Sequence, residues 1–175
     1  MSLPRNGDEA ALRALDPKCA DPNSIVSKRI VRQLAAESLE YKEMILNNSC
    51  IWGLGNLVRC ALEAQVSPDL MVGETRGTPV LVLAATYGAT PALKALLAGG
   101  ANIELPDTHD VTALAAAAGW GHLTSVQLLL NAGANANARE RLGQTPIMLA
   151  VLLEHVDCAR ALLPASDLRL TDFKG

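Results

Sequence analysis

The chain has 175 residues and a formal net charge of −3; half of its residues are hydrophobic, yet aromatics make up only 3%. That mild acidity supplies no electrostatic footprint for nucleic acid, and no apolar run approaches the ~20 residues of a membrane span. The start lacks the charged stretch and apolar run of a secretory signal, and Asp8, Glu9 and Asp16 argue against a transit peptide. Cys19, Cys50, Cys60 and Cys158 show no CxxC spacing and read as incidental thiols of a reducing compartment, cytoplasm or nucleus.

Residues 1–23 carry Pro4, Pro17 and Pro22 and read as a flexible or loosely packed arm, with at most one helical turn around Glu9 to Leu15. Asn23 or Ser24 can accept from free backbone amides and so start a helix. Residues 24–42 are expected to form that helix. Val26, Ile30 and Leu34 recur every four residues, while Lys28, Arg29, Arg32 and Gln33 turn outward. Its expected role is to cap the remainder of the chain; a partner-binding amphipathic helix is the alternative.

From residue 43 the chain repeats itself with a 33-residue period. Leu81, Leu114 and Ile147 align, as do Ala84, Ala117 and Ala150, Leu96, Leu129 and Leu162, and Leu97, Leu130 and Leu163. Gly88 and Gly121 mark the turn between two short helices, and Gly100 and Gly133 mark the end of the second. The third unit is the clearest. A small alanine-rich helix is expected over Thr112 to Trp120, and a second one after His122 carries Leu123, Val126, Leu129 and Leu130 at helical spacing.

This period, the start at Gly143-Gln144-Thr145-Pro146, and the run from Gly121-His122 to Ala134-Asn135-Ala136-Asn137 resemble the ankyrin repeat. The resemblance implies an all-α solenoid of stacked helix-turn-helix pairs with hairpin loops, closed at its N-terminal end by the helical cap. Four repeats are expected, over 43–73, 74–106, 107–139 and 140–171, with 171–175 opening a fifth and the protein continuing beyond Gly175. The first repeat is degenerate. Its helices are placed at Ile45 to Gly53 and Leu57 to Ala64, and its loop, Leu70 to Arg76, is about two residues longer than its successors. Further departures are Pro79 shifted back by one, Asp110 in place of glycine, Ala113 in place of proline, and Glu154 in place of the turn glycine.

No Ser–His–Asp order, carboxylate pair or phosphate-cradling GxxxxGK motif occurs, so no catalytic residue, cofactor or metal ligand is assigned. His122 and His155 sit at equivalent places, where the family often has a histidine that caps the turn. His109 is a loop residue. Asn137 is expected to hydrogen-bond the hairpin backbone; the resemblance also raises modification by an asparagine hydroxylase.

What the resemblance implies instead is a concave binding face of hairpin tips and exposed first-helix residues. In this chain those are Thr75, Arg76, Thr78 and Tyr87 in the second repeat, and Thr108, His109, Val111 and Trp120 in the third. In the fourth they are Arg139, Arg141, Leu142, Gln144 and Leu153. Tyr87, Trp120 and Leu153 are one repeat apart and form a candidate contact stripe. The expected function is non-catalytic binding of another protein, as scaffold, adaptor or inhibitor, by a chain that is monomeric on its own. The alternatives are a regulatory or substrate-recruiting segment of an enzyme whose catalytic domain lies beyond Gly175, or a structural subunit of an assembly.

Overall fold

The structure is a computed structural model and describes residues 3–4, 8–72 and 77–173. Two layers of short helices run side by side through it, and they arise from one local rule applied repeatedly. The first helices are α3 (Leu39–Ile51), α5 (Val80–Thr86), α7 (Ala113–Gly119) and α9 (Pro146–Leu152), and α5 and α7 are almost wholly buried. Each second helix returns antiparallel to its first: α4 (Gly55–Glu63), α6 (Thr90–Ala98), α8 (Leu123–Asn131) and α10 (Val156–Leu162). Like packs on like along the stack, α3 on α5 on α7 on α9, and α4 on α6 on α8 on α10. The chain is thus an all-α solenoid. One two-residue antiparallel pair, Met71–Val72 with Thr78–Pro79, closes the hairpin between α4 and α5.

Alanine makes the layers thin. All six residues from Ala113 to Ala118 are buried, and side chains this small let neighbouring helices approach closely. Between helices the turn is the same each time. The residue after the C-cap takes the left-handed conformation, and the next N–H reaches back five residues to an earlier carbonyl: Ala89 to Ala84, His122 to Ala117, His155 to Ala150. Gly88 and Gly121 supply that conformation freely, whereas Glu154 adopts φ 62° there without glycine's freedom, as Asp110 does at φ 62° in the hairpin before α7.

The N-terminal segment departs from the flexible arm expected of it. Residues Glu9–Leu15 form α1, two turns long, with the Asp8 carboxylate accepting from the N–H groups of Ala10 and Ala11, and Asp16–Cys19 continue as a 3-10 turn. Leu12, Leu15 and Cys19 join the core. The expected single helix over 24–42 is also two. Helix α2 (Ile25–Ala36) ends at an extended Glu37, and Ser38 caps α3 by accepting from the Tyr41 N–H. The first helix of the first repeat therefore begins at Leu39, six residues ahead of its expected start at Ile45. A serine with an extended backbone serves as an N-cap more readily than as helix interior.

This segment is fastened to α4. The Asp16 carboxylate accepts from the Leu57 N–H at 2.8 Å and from Asn56 Nδ2 at 3.1 Å. It caps a helix whose own N-cap, Leu54, has no side chain able to do so. Arg59 donates to the Cys19 carbonyl from the next turn of α4. One core then runs from Leu12, Leu15, Ile30 and Leu34 through Leu57, Leu93 and Leu96 to Leu129 and Leu162.

Candidate functional site: the exposed edge of the first helices

Tyr87, Trp120 and Leu153 occupy one structural position in three successive repeats, the C-cap of α5, α7 and α9. Their backbones nearly coincide in conformation (φ −91°, −96° and −98°), so their side chains leave the stack in the same direction. The three are 55%, 64% and 51% exposed; α5 and α7 are otherwise mostly buried, while α9 also exposes Val151 and Leu152. Between α7 and α9 the surface sinks into a groove of about 550 Å³, with Trp120 and Leu153 as walls and Val111, Ala115, Gly119 and Leu149 beneath. Ala115, Ala116 and Gly119 contribute little side chain to it. A Cβ on Gly119 would stand 3.7 Å from Leu153 Cδ1.

Two histidines lock this edge. His122 Nε2 lies 2.9 Å from the Thr86 carbonyl and His155 Nε2 lies 3.0 Å from that of Gly119, each bonding the preceding repeat. A carbonyl only accepts, so both rings carry the proton on Nε2 in this arrangement. The bonds end beside Tyr87 and Trp120 and hold the stripe's spacing. Each ring also fills the space over a turn glycine: a Cβ on Gly88 or Gly121 would come within 2.5 or 2.6 Å of the Nδ1 of His122 or His155.

The hairpin tips are organised by carboxylates. Asp107 Oδ1 accepts from the N–H groups of His109 and Val111, and Glu140 Oε1 from those of Leu142 and Gln144. Successive tips are joined by backbone rungs, Thr108 N–H to the Gly77 carbonyl, Arg141 to His109, and Phe173 to Leu142. A second ladder joins the loops that follow the second helices. Side-chain oxygens of Asp69, Glu104 and Asn137 accept from the N–H groups of Asn102, Asn135 and Asp167, at 2.7 to 2.8 Å. Asn137 thus bonds hairpin backbone, as expected of its residue type, and Asp69 and Glu104, which stand at the corresponding place after the two preceding second helices, do the same.

The expected face divides in two. Val111, Trp120 and Leu153 share the groove, with Tyr87 one repeat away along the same edge. Thr108, His109 and Leu142 are exposed on the tips, while Thr78 is half-buried in the strand pair and Gln144 half-buried in its hairpin. Arg139 and Arg141 are held by the chain itself. Arg141 Nη2 donates to the Thr108 carbonyl at 2.6 Å; Arg139 donates to the carbonyls of Gly143 and Thr171, and its guanidinium lies 5.2 Å from the Phe173 ring centre. Thr75 and Arg76, with Lys174 and Gly175 of the expected fifth repeat, lie outside the described residues.

The four cysteines are unpaired and buried. Burial pushes the Cys50 and Cys158 thiols up, and the Cys60 thiol is raised by its hydrogen bond with Cys19, which lowers Cys19. Among the described residues no three His, Cys, Asp or Glu side chains are grouped to hold a metal ion, and no helix is long and apolar enough to cross a membrane.

Fold and edge together define a repeat solenoid, a class in which successive units stack a common core and leave one edge of each free. The family model for ankyrin repeats (3 copies) matches the chain over residues 46–140 and again over 81–172. The chain belongs to the ankyrin-repeat family, whose domains are in general protein–protein interaction modules. No curated protein matches it.

Proposed function

We propose that this protein is a non-catalytic scaffold, adaptor or inhibitor that holds a partner protein along the edge formed by Tyr87, Trp120 and Leu153. The observation that supports this most is the registration of the three side chains. Large apolar groups placed at one C-cap position in three consecutive repeats form a stripe, and each is more than half exposed. Tyrosine and tryptophan dominate interface energetics because they bury much area for few frozen rotors. The histidine bridges and the backbone rungs keep the stripe rigid before any partner arrives, so association orders little and loses little entropy. The buried, unpaired cysteines suit a reducing compartment, cytoplasm or nucleus.

The test is a lysate pull-down comparing the wild-type chain with Tyr87→Ala/Trp120→Ala/Leu153→Ala, both checked by circular dichroism. A protein captured by the first and lost from the second supports the stripe. Trp120→Ala alone should weaken that complex by about 1–3 kcal/mol with little change in folding. Equal capture by both chains removes the stripe from the interface.

A further inference from the structure

The outer side of α2 is unlike the rest of the surface. Its buried stripe, Ser27, Ile30 and Leu34, rests on the core and leaves Lys28, Arg29 and Arg32 on the solvent side between Ile25 and Ala36. These residues and Gln33 line a shallow groove of about 590 Å³ along the helix. Ile25 is 87% exposed. No acidic residue lies within α2, although the chain as a whole carries a net charge of −3.

The cations here lack the carboxylate partners that several others have. Arg13, Arg59, Arg160 and Arg169 each contact a carboxylate two to four residues away along the chain. Among the described residues, Lys28, Arg29 and Arg32 contact none. The flanking acids are turned elsewhere or stand clear: Asp21 accepts from the Asn23 N–H, and Glu37, past the helix end, makes no ion pair with α2. Lys42, donating to the Ala35 carbonyl, adds positive charge at the same end. Gln33 Oε1 is shut away from water with no donor, so a partner that draws this amide outward gives it a hydrogen bond it lacks.

We infer that this groove is a second docking surface, separate from the Tyr87–Trp120–Leu153 edge, and that its occupant is an acidic amphipathic helix of another protein. The spacing carries the choice of a helix. Ile25, Lys28 or Arg29, Arg32 and Ala36 recur every three or four residues over about 16 Å, the period at which a facing helix presents its own side chains. Carboxylates at that spacing meet the three cations, and aliphatic side chains beside them meet Ile25 and Ala36. A membrane surface fits less well, because an interfacial helix inserts its apolar face and that face of α2 is occupied by the core. Single-stranded nucleic acid would need aromatic platforms that this groove does not have.

The test is a displayed library of random 16-residue peptides, selected on the wild-type chain and counter-selected on Lys28→Glu/Arg29→Glu/Arg32→Glu. Survivors should carry Asp or Glu at helical spacing around Leu or Ile. By fluorescence anisotropy they should bind wild type at least about tenfold more tightly than the reversal variant, and more weakly as salt rises. They should bind Tyr87→Ala/Trp120→Ala/Leu153→Ala as tightly as wild type, which keeps this surface distinguishable from the edge. Lys28→Ala/Arg29→Ala/Arg32→Ala should shift affinity the same way by a smaller factor, and it stands in if the reversal variant fails to fold. Absence of survivors, or survivors that are neutral or basic, overturns the inference. So does retention of wild type, but not of the variants, on phosphatidylserine vesicles without any acidic peptide binder.

Discussion

The two ends of the stack are built to opposite plans. At the N-terminal end, α1, the 3-10 turn and α2 close over α4, and Leu12, Leu15, Ile30 and Leu34 are at most 1% exposed. At the other end α9, α10 and the segment that follows them present Val151, Leu152, Val156, Leu163 and Leu168 to solvent. One repeat position makes the contrast direct: Ala85 and Ala118 are fully buried, while Val151 is 64% exposed. The difference teaches that a repeat does not bury its own apolar face. The next unit does, so stability along the stack is a sum of neighbour contacts and falls where a neighbour is lacking.

Leu34→Ala should show the largest effect, a loss of about 2–5 kcal/mol in urea unfolding, because it opens a cavity under the cap. Leu168→Ala, at a side chain 67% exposed, should change little; a similar loss from both would erase the contrast. Next comes the joint that holds the last repeat. Gly121→Ala must take a left-handed backbone and push its Cβ into the His155 ring, and should cost about 1–3 kcal/mol. Gly133→Ala has the same backbone problem but open space around the Cβ, so it should cost less, about 1 kcal/mol. In hydrogen exchange, Gly121→Ala should release the α9 and α10 amides while those of α4 stay protected.

Asp16→Ala removes the carboxylate that caps α4 and should cost about 0.5–2 kcal/mol. Here exchange should quicken at the Leu57 amide and leave α10 unchanged, the reverse of the Gly121→Ala pattern. The smallest stability effect is expected from Val151→Lys/Leu168→Lys, within about 0.5 kcal/mol of wild type because neither side chain is packed. The same variant should bind less 8-anilinonaphthalene-1-sulfonate. Unchanged dye fluorescence would mean that the apolar end is not open to solvent.

Much of this architecture is legible residue by residue. The alignment of Leu96 with Leu129 and Leu162 marks the second-helix core, and all three are fully buried. The paired turn glycines and the equivalent histidines are equally visible, as is the common position of Tyr87, Trp120 and Leu153. Two features escape a reading of the sequence. The break at Ser38 carries no glycine or proline to mark it. The packing of residues 8–20 is hidden by prolines and scattered charge. Its partners, Leu57 and Arg59, lie some 40 residues away in sequence.

The period, the helix–turn–helix unit and the positions that face the core were set by sequence alone, since each arises from local spacing and from residues that tolerate a left-handed turn. The cap on α4 and the binding of Arg139 and Arg141 to backbone of their own and neighbouring hairpins were decided by tertiary structure. Those depend on which distant groups arrive beside one another once the repeats stack, and no local pattern encodes that arrival.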